Sequence, residues 1–445
     1  MRSRLEIYDF KNDAFDEKNN DITAKKNKAV LVALELLHHR RWQTLESLDE
    51  LKALAESAGL EVVRHFINKR DEISSVFFIG KGTIETLKNY CYVNNINYII
   101  FDDDLSPAQT KNIAKELGDN IAIIDRTGII LDIFGRRAKT KEGKLQVELA
   151  KLEYMLPRLT RQWRHLIHQE GATGGTVGVR GPGEKQLEMD RRQIRERINS
   201  IKKELEIVKN YRSIQRKRRQ RNNVPVMALI GYTNAGKSTL FNKITDSNVF
   251  VEDKLFATLD PTTRKFKLPN NQDAILIDTV GFIKKLPHQL IDAFKATLEE
   301  LRQSDILIHV LDVSDDKADD RKKVVIELLT ELQADDKTII TALNKIDLMT
   351  NNIALGRMEM ENKPCAAVCA KTGQGLNHFF DLITEQIANY RVRAKLFFPL
   401  NRQNLISKLY DSGKVISRKD KEDGVYIEAE YDKSLEGILS GFHRD

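Results

Sequence analysis

Val224 to Ile244 reads VPVMALIGYTNAGKSTLFNKI. An apolar run, a glycine-bounded loop and an amphipathic run with helical spacing follow one another without a break. Gly231, Gly236, Lys237 and Ser238 satisfy G-x-x-x-x-G-K-[ST]. Glycines at both ends of the loop let the backbone N–H groups of Tyr232, Thr233, Asn234 and Ala235 curl around phosphate oxygens. Lys237 brings a positive charge to the outer phosphates, and the Ser238 hydroxyl is a hard oxygen ligand suited to Mg²⁺. Strand, phosphate loop and helix in this order predict an α/β domain with a parallel sheet and a nucleotide at the strand end.

The downstream sequence extends that reading. Ala274 to Phe282, AILIDTVGF, is a second apolar strand ending at Asp278, followed by Thr279, Val280 and Gly281. A carboxylate at a strand end beside a phosphate loop can hold Mg²⁺ through water, and a glycine amide there can approach a γ-phosphate. Thr338 to Leu348, TIITALNKIDL, ends a further strand with Asn344, Lys345, Ile346 and Asp347. A carboxylate accepts two hydrogen bonds from the N1–H and N2–H₂ of guanine, and adenine has no such donor pair on that edge. Asp347 therefore points to GTP rather than ATP. Val368 to Gly375, VCAKTGQG, places Cys369, Ala370 and Lys371 behind the base. Between the first two elements lies KLFATLDPTTRKF, with Phe256, Ala257, Thr258, Leu259 and Asp260. A loop that senses Mg²⁺ and a γ-phosphate needs a hydroxyl here, and Thr258, Thr262 and Thr263 are all candidates.

The expected architecture is multidomain α/β. Residues 1–27 are polar. Residues 28–140 alternate short apolar runs (AVLVALEL, LEVVRHFI, SVFFIG, NYIIFDD, NIAIID) with helical patterns, the signature of an N-terminal parallel α/β domain. Residues 141–221 read as an antiparallel helical hairpin. Leu145, Leu149, Leu152, Leu156 and Leu159 form one apolar seam, and Leu187, Ile194, Ile198, Ile201, Leu205 and Val208 a second. Each helix is expected to bury the other's stripe, with Pro157 kinking or breaking the first. The hairpin tip, residues 171–183, holds six of the 23 glycines. From Glu184 to Arg221 there are 14 Lys/Arg and 6 Asp/Glu, a net of +8 against +7 for the whole chain. Glycines and cations on a helical stalk suit irregular RNA phosphates, and Arg180, Lys185, Arg191 and Arg192 are the candidate contacts. Residues 224–391 form the P-loop domain, and residues 394–445 a small α+β C-terminal domain.

Composition is consistent with this. The chain has 445 residues, 41% of them hydrophobic and 31% charged. Cys91, Cys365 and Cys369 lack zinc spacing and read as free thiols in a reducing compartment. There is no apolar run of membrane-spanning length and no secretory signal core at the start. The expectation is a cytoplasmic monomer, with a peripheral place at a membrane left open and no DNA partner.

Taken together, these motifs resemble the HflX family of translational GTPases. The most specific stretches lie outside the phosphate site: DRTGIILDIFGRRAKTKEGKLQVELAKLEYMLPRL, GGTVGVRGPGEKQLEMDRR and LFATLDPTTR. The resemblance implies that Thr258, in F-A-T-L-D, is the sensor and with Ser238 a direct Mg²⁺ ligand. It implies association with the large ribosomal subunit and its rRNA, splitting of stalled or idle ribosomes, and a hairpin tip reaching toward the peptidyl-transferase region. Three places depart from the family pattern: Glu184-Lys185-Gln186 where E-T-Q is usual, Val177 and Val179 in the tip, and Cys369 where serine is usual. Lys237, Thr258 and Gly281 are the candidate catalytic groups. Where many GTPases carry a water-orienting Gln, this chain has Phe282, so hydrolysis needs help from outside, from the ribosome or from K⁺ at Asn234. Two other readings remain at this point. One is a factor that assembles large subunits. The other is an RNA remodeller using ATP at the N-terminal FFIGKG segment, with Gly80, Lys81 and Gly82 at the phosphates.

Overall fold

The computed structural model describes residues 27–37, 41–118, 120–159, 182–221, 224–247, 255–270, 272–285, 300–349, 352–399, 404–421, 423–432 and 435–444. They fall into two compact units, one up to Lys202 and one from Lys203 onward.

In the first unit β1 (Lys28–Leu36), β2 (Glu61–Arg70), β3 (Tyr98–Phe101) and β4 (Ala122–Asp125) form a sheet in the order β2-β1-β3-β4. Every pair is parallel. The connecting helices are α1 (Arg41–Ser57), α2 (Lys81–Asn94) and α3 (Pro107–Leu117). Parallel strands need such crossovers, and the continuous apolar character of β1 follows from cover on both faces. Val30, Val32, Ile99 and Phe101 pack with Ile84, Leu87 and Ile113 of the helices.

One expected strand is absent. SVFFIG forms a tight turn in which Ser74 and Phe78 exchange backbone hydrogen bonds of 3.1 and 2.9 Å. Phe78 adopts φ +64°. The reversal sends the Phe78 ring into the core, edge-on to Phe101 with centroids 6.0 Å apart. Tertiary burial thus overrides the β propensity of the run. Gly80, Lys81 and Gly82 accordingly lead from a turn, not a strand, into α2.

α4 (Arg126–Arg137) and α5 (Lys141–Met155) close this unit. α5 ends where Leu156–Arg158 tightens to a 3-10 turn at Pro157, so the proline breaks the helix rather than kinking it. Below it, buried Asp125 receives Arg158 Nη2 at 3.0 Å, Tyr154 Oη at 2.8 Å and the Gly128 amide at 2.8 Å. α6 (Pro182–Arg221) is 40 residues long. It begins at Pro182, so Pro182 and Gly183 belong to its first turn and not to the tip loop, as suits a proline at the first helical position. The expected mutual burial of the two seams holds only in part. α5 packs chiefly on α4. On the part of α6 that belongs to this unit, Ile198 and Ile201 are buried, whereas Ile194 is half-exposed. The reason lies in α5, which is buried on most of its circumference and so needs more than one neighbour. α6 meets it through Arg197–Glu148 at 2.7 Å and Lys202–Glu153 at 2.8 Å.

In the second unit β5 (Val226–Ile230), β6 (Thr262–Lys267), β7 (Asp273–Asp278), β8 (Ile306–Asp312), β9 (Thr338–Asn344) and β10 (Cys365–Ala367) form a sheet in the order β10-β9-β8-β5-β7-β6. Only β6 runs antiparallel, against β7. β5 sits between β8 and β7, so the strand order reverses at its carboxyl end, where α/β sheets open a ligand crevice. α7 (Lys237–Thr245), α8 (Ala318–Glu331), α9 (Asn352–Glu361) and α10 (Leu376–Tyr390) accompany the sheet. The chain then makes a separate antiparallel sheet in the order β12-β13-β11-β14, from β11 (Arg391–Pro399), β12 (Gly413–Lys421), β13 (Gly424–Asp432) and β14 (His443–Arg444). α11 (Asn404–Ser412) and the short α12 (Glu436–Leu439) supply Leu409 and Leu439 to its core.

His309, in the middle of β8, is 3% exposed and its Nε2 has no hydrogen-bond partner. Burial, with Lys322 and Lys237 nearby, pushes its pKa down to about 4. The folded chain therefore keeps His309 neutral while the unfolded chain takes up a proton below its ordinary 6.5. Stability should be lost as pH falls from 6.5 toward 4, by about 3 kcal/mol from this group. A His309→Leu variant should melt near the wild-type temperature at pH 7.5 and fall less steeply by pH 4.5. Parallel pH–melting curves for the two proteins check this, and equal slopes would rule it out.

Candidate functional site

The site is built at the carboxyl ends of β5, β7 and β9. Gly231 follows β5 directly at φ +147°, and a Cβ there would lie 2.4 Å from the Val310 carbonyl oxygen. Gly236 takes φ +93°, and a Cβ would meet the Asn344 side-chain nitrogen. Both glycines are needed for contact as well as conformation. Between them Asn234 sits at φ +61°, and Lys237 opens α7. Lys237 is buried, and its Nζ donates to the carbonyl oxygens of Gly231 at 3.1 Å and Tyr232 at 2.7 Å. Burial lowers its pKa to about 8, with Asp278 pulling the other way.

A pocket lies over this loop. Thr233, Asn234, Gly236, Lys237 and Ser238 line one side. Phe256, Ala257 and Thr258 line a second, and Thr279 and Gly281 a third. Thr239 also lines it. The motif reading passed over Thr239, although a hydroxyl in the first turn of the helix after a phosphate loop is a recognisable signal. Of the three threonines left open by chemistry, Thr258 alone faces the pocket, while Thr262 and Thr263 belong to β6.

Three oxygen-bearing side chains converge at the pocket floor. Ser238 Oγ lies 2.8 Å from Thr258 Oγ1 and donates to Asp278 Oδ2 at 2.7 Å. Thr258 Oγ1 donates to the same oxygen at 3.2 Å. Asp278 is fully buried, and its Oδ1 has no hydrogen-bond partner. Burial raises its pKa, opposed by the bonds from Ser238 and Thr258 and by the Lys237 charge. Two hydroxyls around a buried, incompletely satisfied carboxylate form an all-oxygen donor set that fits a small hard cation such as Mg²⁺.

Gly281 stands against the phosphate loop, where a Cβ would come within 2.9 Å of Lys237 Nζ and Thr233 Cα. Phe282 is 2% exposed. Its carbonyl accepts from the Thr233 amide at 2.8 Å and its amide donates to Gly231 O at 3.1 Å. Tyr232 adds a third tie, its hydroxyl accepting the Lys284 amide at 2.9 Å. The Phe282 ring is thus core, and its residue anchors the loop while offering no hydrogen bond to water. Val280 and Leu259 are buried as well.

The NKID segment lies outside this pocket. Asn344 spends both ends of its amide on the protein, donating to Ala235 O at 2.8 Å and accepting from the Ala370 amide at 2.9 Å. Lys345 takes φ +67° and pairs with Asp312 at 2.7 Å. Asp347, in the 3-10 turn Ile346–Leu348, is exposed. Cys369 and Ala370 are buried and Lys371 is exposed. The Ala370 amide, expected to back a base, is engaged by Asn344 in this arrangement, so using it on a base requires Asn344 to exchange that bond.

Of the candidate RNA contacts, Arg180 and residues 171–181 of the tip lie outside the described residues, and Lys185 is placed only as helix backbone. Arg191 donates to the Leu159 carbonyl at 2.9 Å, and Arg192 pairs with Glu196 at 2.9 Å on an exposed face. Among the described residues no group of His, Cys, Asp and Glu is arranged to hold a metal by itself. None of the described helices is long and apolar enough to cross a membrane.

Four family models match in series. They are described as GTP-binding GTPase N-terminal over residues 45–135, GTP-binding GTPase middle region over 137–219, 50S ribosome-binding GTPase over 226–345 and HflX C-terminal domain over 354–434. Among curated proteins, the GTPase HflX of Caldanaerobacter subterraneus subsp. tengcongensis is 42% identical over 422 residues, covering 95% of each chain. That of Escherichia coli K12 is 40% identical, covering 85% of this chain and 88% of the relative. Among solved structures, a GTP-binding protein from Sulfolobus solfataricus in complex with GDP is similar at 26% identity and a TM-score of 0.43, over 82% of this chain and 99% of that one.

Proposed function

Given that the chain belongs to the GTPase HflX family, and is a P-loop GTPase, we propose that it binds the large ribosomal subunit and uses GTP as a switch to split stalled or idle ribosomes. The observation that carries the switch is the convergence of Ser238, Thr258 and Asp278 within 3.2 Å. It joins the phosphate loop, the Phe256–Asp260 loop and the end of β7 at one point. The match of residues 226–345 to a ribosome-binding GTPase model supports the choice of partner.

In this reading Ser238 and Thr258 would hold Mg²⁺, with Asp278 beneath them as its supporting carboxylate. When bound, Mg²⁺ neutralises charge on the outer phosphates. The amides from Tyr232 to Lys237 cradle the phosphates, Lys237 turns its ammonium from the carbonyls of Gly231 and Tyr232 to the phosphate oxygens, and the Gly281 amide meets the γ-phosphate. Asp347 reads the guanine edge. With GTP the Thr258 and Gly281 loops are ordered, and hydrolysis releases them. The ordered state splits the ribosome, and hydrolysis frees the protein for another round.

The buried Phe282 leaves the attacking water without a side-chain partner from that position. Positioning must come from another source, either the ribosome or a K⁺ that Asn234 would help to hold. Purified large subunits should therefore raise GTP turnover by roughly tenfold or more, which is about 1.4 kcal/mol off the barrier. Replacing Na⁺ by K⁺ should raise the turnover without subunits. No stimulation together with no binding to large subunits would sink the ribosome reading. A GTP analogue resistant to hydrolysis should still support splitting, measured by light scattering.

The tip and α6 are assigned to rRNA, with Arg180 and Lys185 at the phosphates and Arg191 and Arg192 further along. A cytoplasmic, ribosome-associated monomer fits this work.

A further inference from the structure

The outward face of the C-terminal sheet has no role in the switch. Alternation along β11 and β13 sends Leu396, Phe398, Val425, Ile427 and Tyr431 inward, where Leu409 and Leu439 cover them. Phe397 and Tyr426 point the other way. They are direct cross-strand partners on the two central strands, with ring centroids 4.8 Å apart and planes at 46°. Both are only half-buried. Gly424 makes room for this pair, since a Cβ there would come within 2.8 Å of the Phe397 ring. The Tyr426 hydroxyl is oriented by Asp423 at 2.8 Å.

Cations frame the rings. Lys421 Nζ lies 4.6 Å from the Tyr426 centroid and Arg444 Cζ 5.0 Å from that of Phe397. Lys419 stands opposite Tyr426 on β12, and Lys395 opposite Arg444 on β14. Among the described residues none of Lys395, Lys419, Lys421 and Arg444 is paired with a carboxylate. Of the acids at this face, Asp423 is engaged by the Tyr426 hydroxyl at 2.8 Å, and Glu428, opposite Lys395, is taken by Arg393 at 2.7 Å. Four cations unpaired with carboxylates around two neighbouring rings suit a ligand that carries regularly spaced negative charge and flat apolar faces together. A nucleic-acid duplex hides its base faces. A single strand offers both phosphates for the cations and base planes for the rings.

We propose that the outer face of the C-terminal sheet, centred on Phe397 and Tyr426, is a stacking platform for single-stranded RNA. Two successive bases stack on the paired rings, and Lys421 and Arg444, which lie over those rings at 4.6 and 5.0 Å, lift to cover the bases as cations on a π-system. Lys395 and Lys419 take the flanking phosphates. The recognition is of strand and not of sequence, because every base has a π-face. Only the choice of RNA over DNA rests on the ribosome reading above.

The test uses the full-length protein and a 12-nucleotide single-stranded RNA carrying 5-iodouridine, free of ribosomes and of GTP, so that it can fail independently of subunit stimulation. Ultraviolet cross-links should map to the peptides containing Phe397 and Tyr426. They should vanish when the RNA is annealed to its complement, and in the Phe397→Leu/Tyr426→Leu variant. Stacking typically contributes roughly 5- to 100-fold in affinity per base, so that variant should lose cross-linking by at least about tenfold. Basal GTP hydrolysis should stay unchanged, and the circular dichroism spectrum and melting curve of the variant should match wild type, which reports an intact C-terminal sheet. Lys421→Gln/Arg444→Gln should weaken cross-linking at the same peptides without touching the rings. Cross-links confined to residues 184–221, cross-links that survive both variants, or competition by poly-glutamate as effective as by unlabelled RNA would each overturn the proposal.

Discussion

An Asp347→Asn chain should lose GTP affinity by roughly 10³-fold or more and gain binding of xanthosine triphosphate. The carboxylate at 347 has only acceptors, and guanine presents two donors on the edge it would meet. An amide offers one acceptor and one donor, so an N–H would face an N–H, and a buried donor left without a partner is costly. Xanthine has a carbonyl where guanine has its amino group, and that oxygen accepts from the new amide. The surroundings favour a clean substitution. Asp347 is exposed, so the change removes no core contact. Its approach angle is set by Lys345 in the left-handed region, held by Asp312 at 2.7 Å. Titration of a fluorescent guanine nucleotide, with competition by xanthosine triphosphate, gives the answer. A change in GTP affinity of less than about threefold would remove Asp347 from the base site, being under 1 kcal/mol.

Lys237→Ala should lower GTP turnover by roughly 10²–10³-fold, the usual loss when one preorganised charge donor at a developing anion is removed. It also makes a prediction about pH. The buried ammonium has a pKa of about 8 without ligand. Above that value it must recover a proton before it can serve a phosphate, so wild-type affinity for GTP should fall by up to about tenfold per pH unit between 8 and 10. The sign is fixed: the bound phosphates raise the pKa, so binding takes up a proton and weakens as protons become scarce. The alanine variant should bind weakly with a flat profile over the same range. A parallel decline in both proteins would assign the titration to another group.

What was legible in the sequence was local. Val226 to Lys243 spells a strand, a loop and a helix in adjacent residues, and the glycines at 231 and 236 are required by backbone geometry within that loop. The order of Asp278, Asn344 and Cys369 along the chain also placed the ends of β7, β9 and β10 on one side of a sheet, because parallel strands put their carboxyl ends together. What was not legible depends on distant packing. Nothing in SVFFIG announces that Phe78 must reverse the chain to reach Phe101. Nor does GKVISRKDK, mostly charged, announce β12; it is an exposed edge strand, which tolerates such a composition. The burial of His309 in an otherwise apolar β8, and the engagement of both ends of the Asn344 amide, depend on neighbours about a hundred residues away or on other strands. Chemistry alone left Thr258, Thr262 and Thr263 equal. Strand β6, which takes up the last two, separates them.

Asn344 also bears on how the protein is made. Its amide ties Ala235, 109 residues earlier, to Ala370, 26 residues later. A growing chain therefore possesses the whole phosphate loop long before it possesses the strand and turn that brace it. Until the segment around Ala370 has emerged, Asn344 has only one of its two anchors. Nucleotide capture is in this sense a late event in synthesis, and a chain cut short before that segment would carry every residue of the phosphate motif without the clasp that sets its shape.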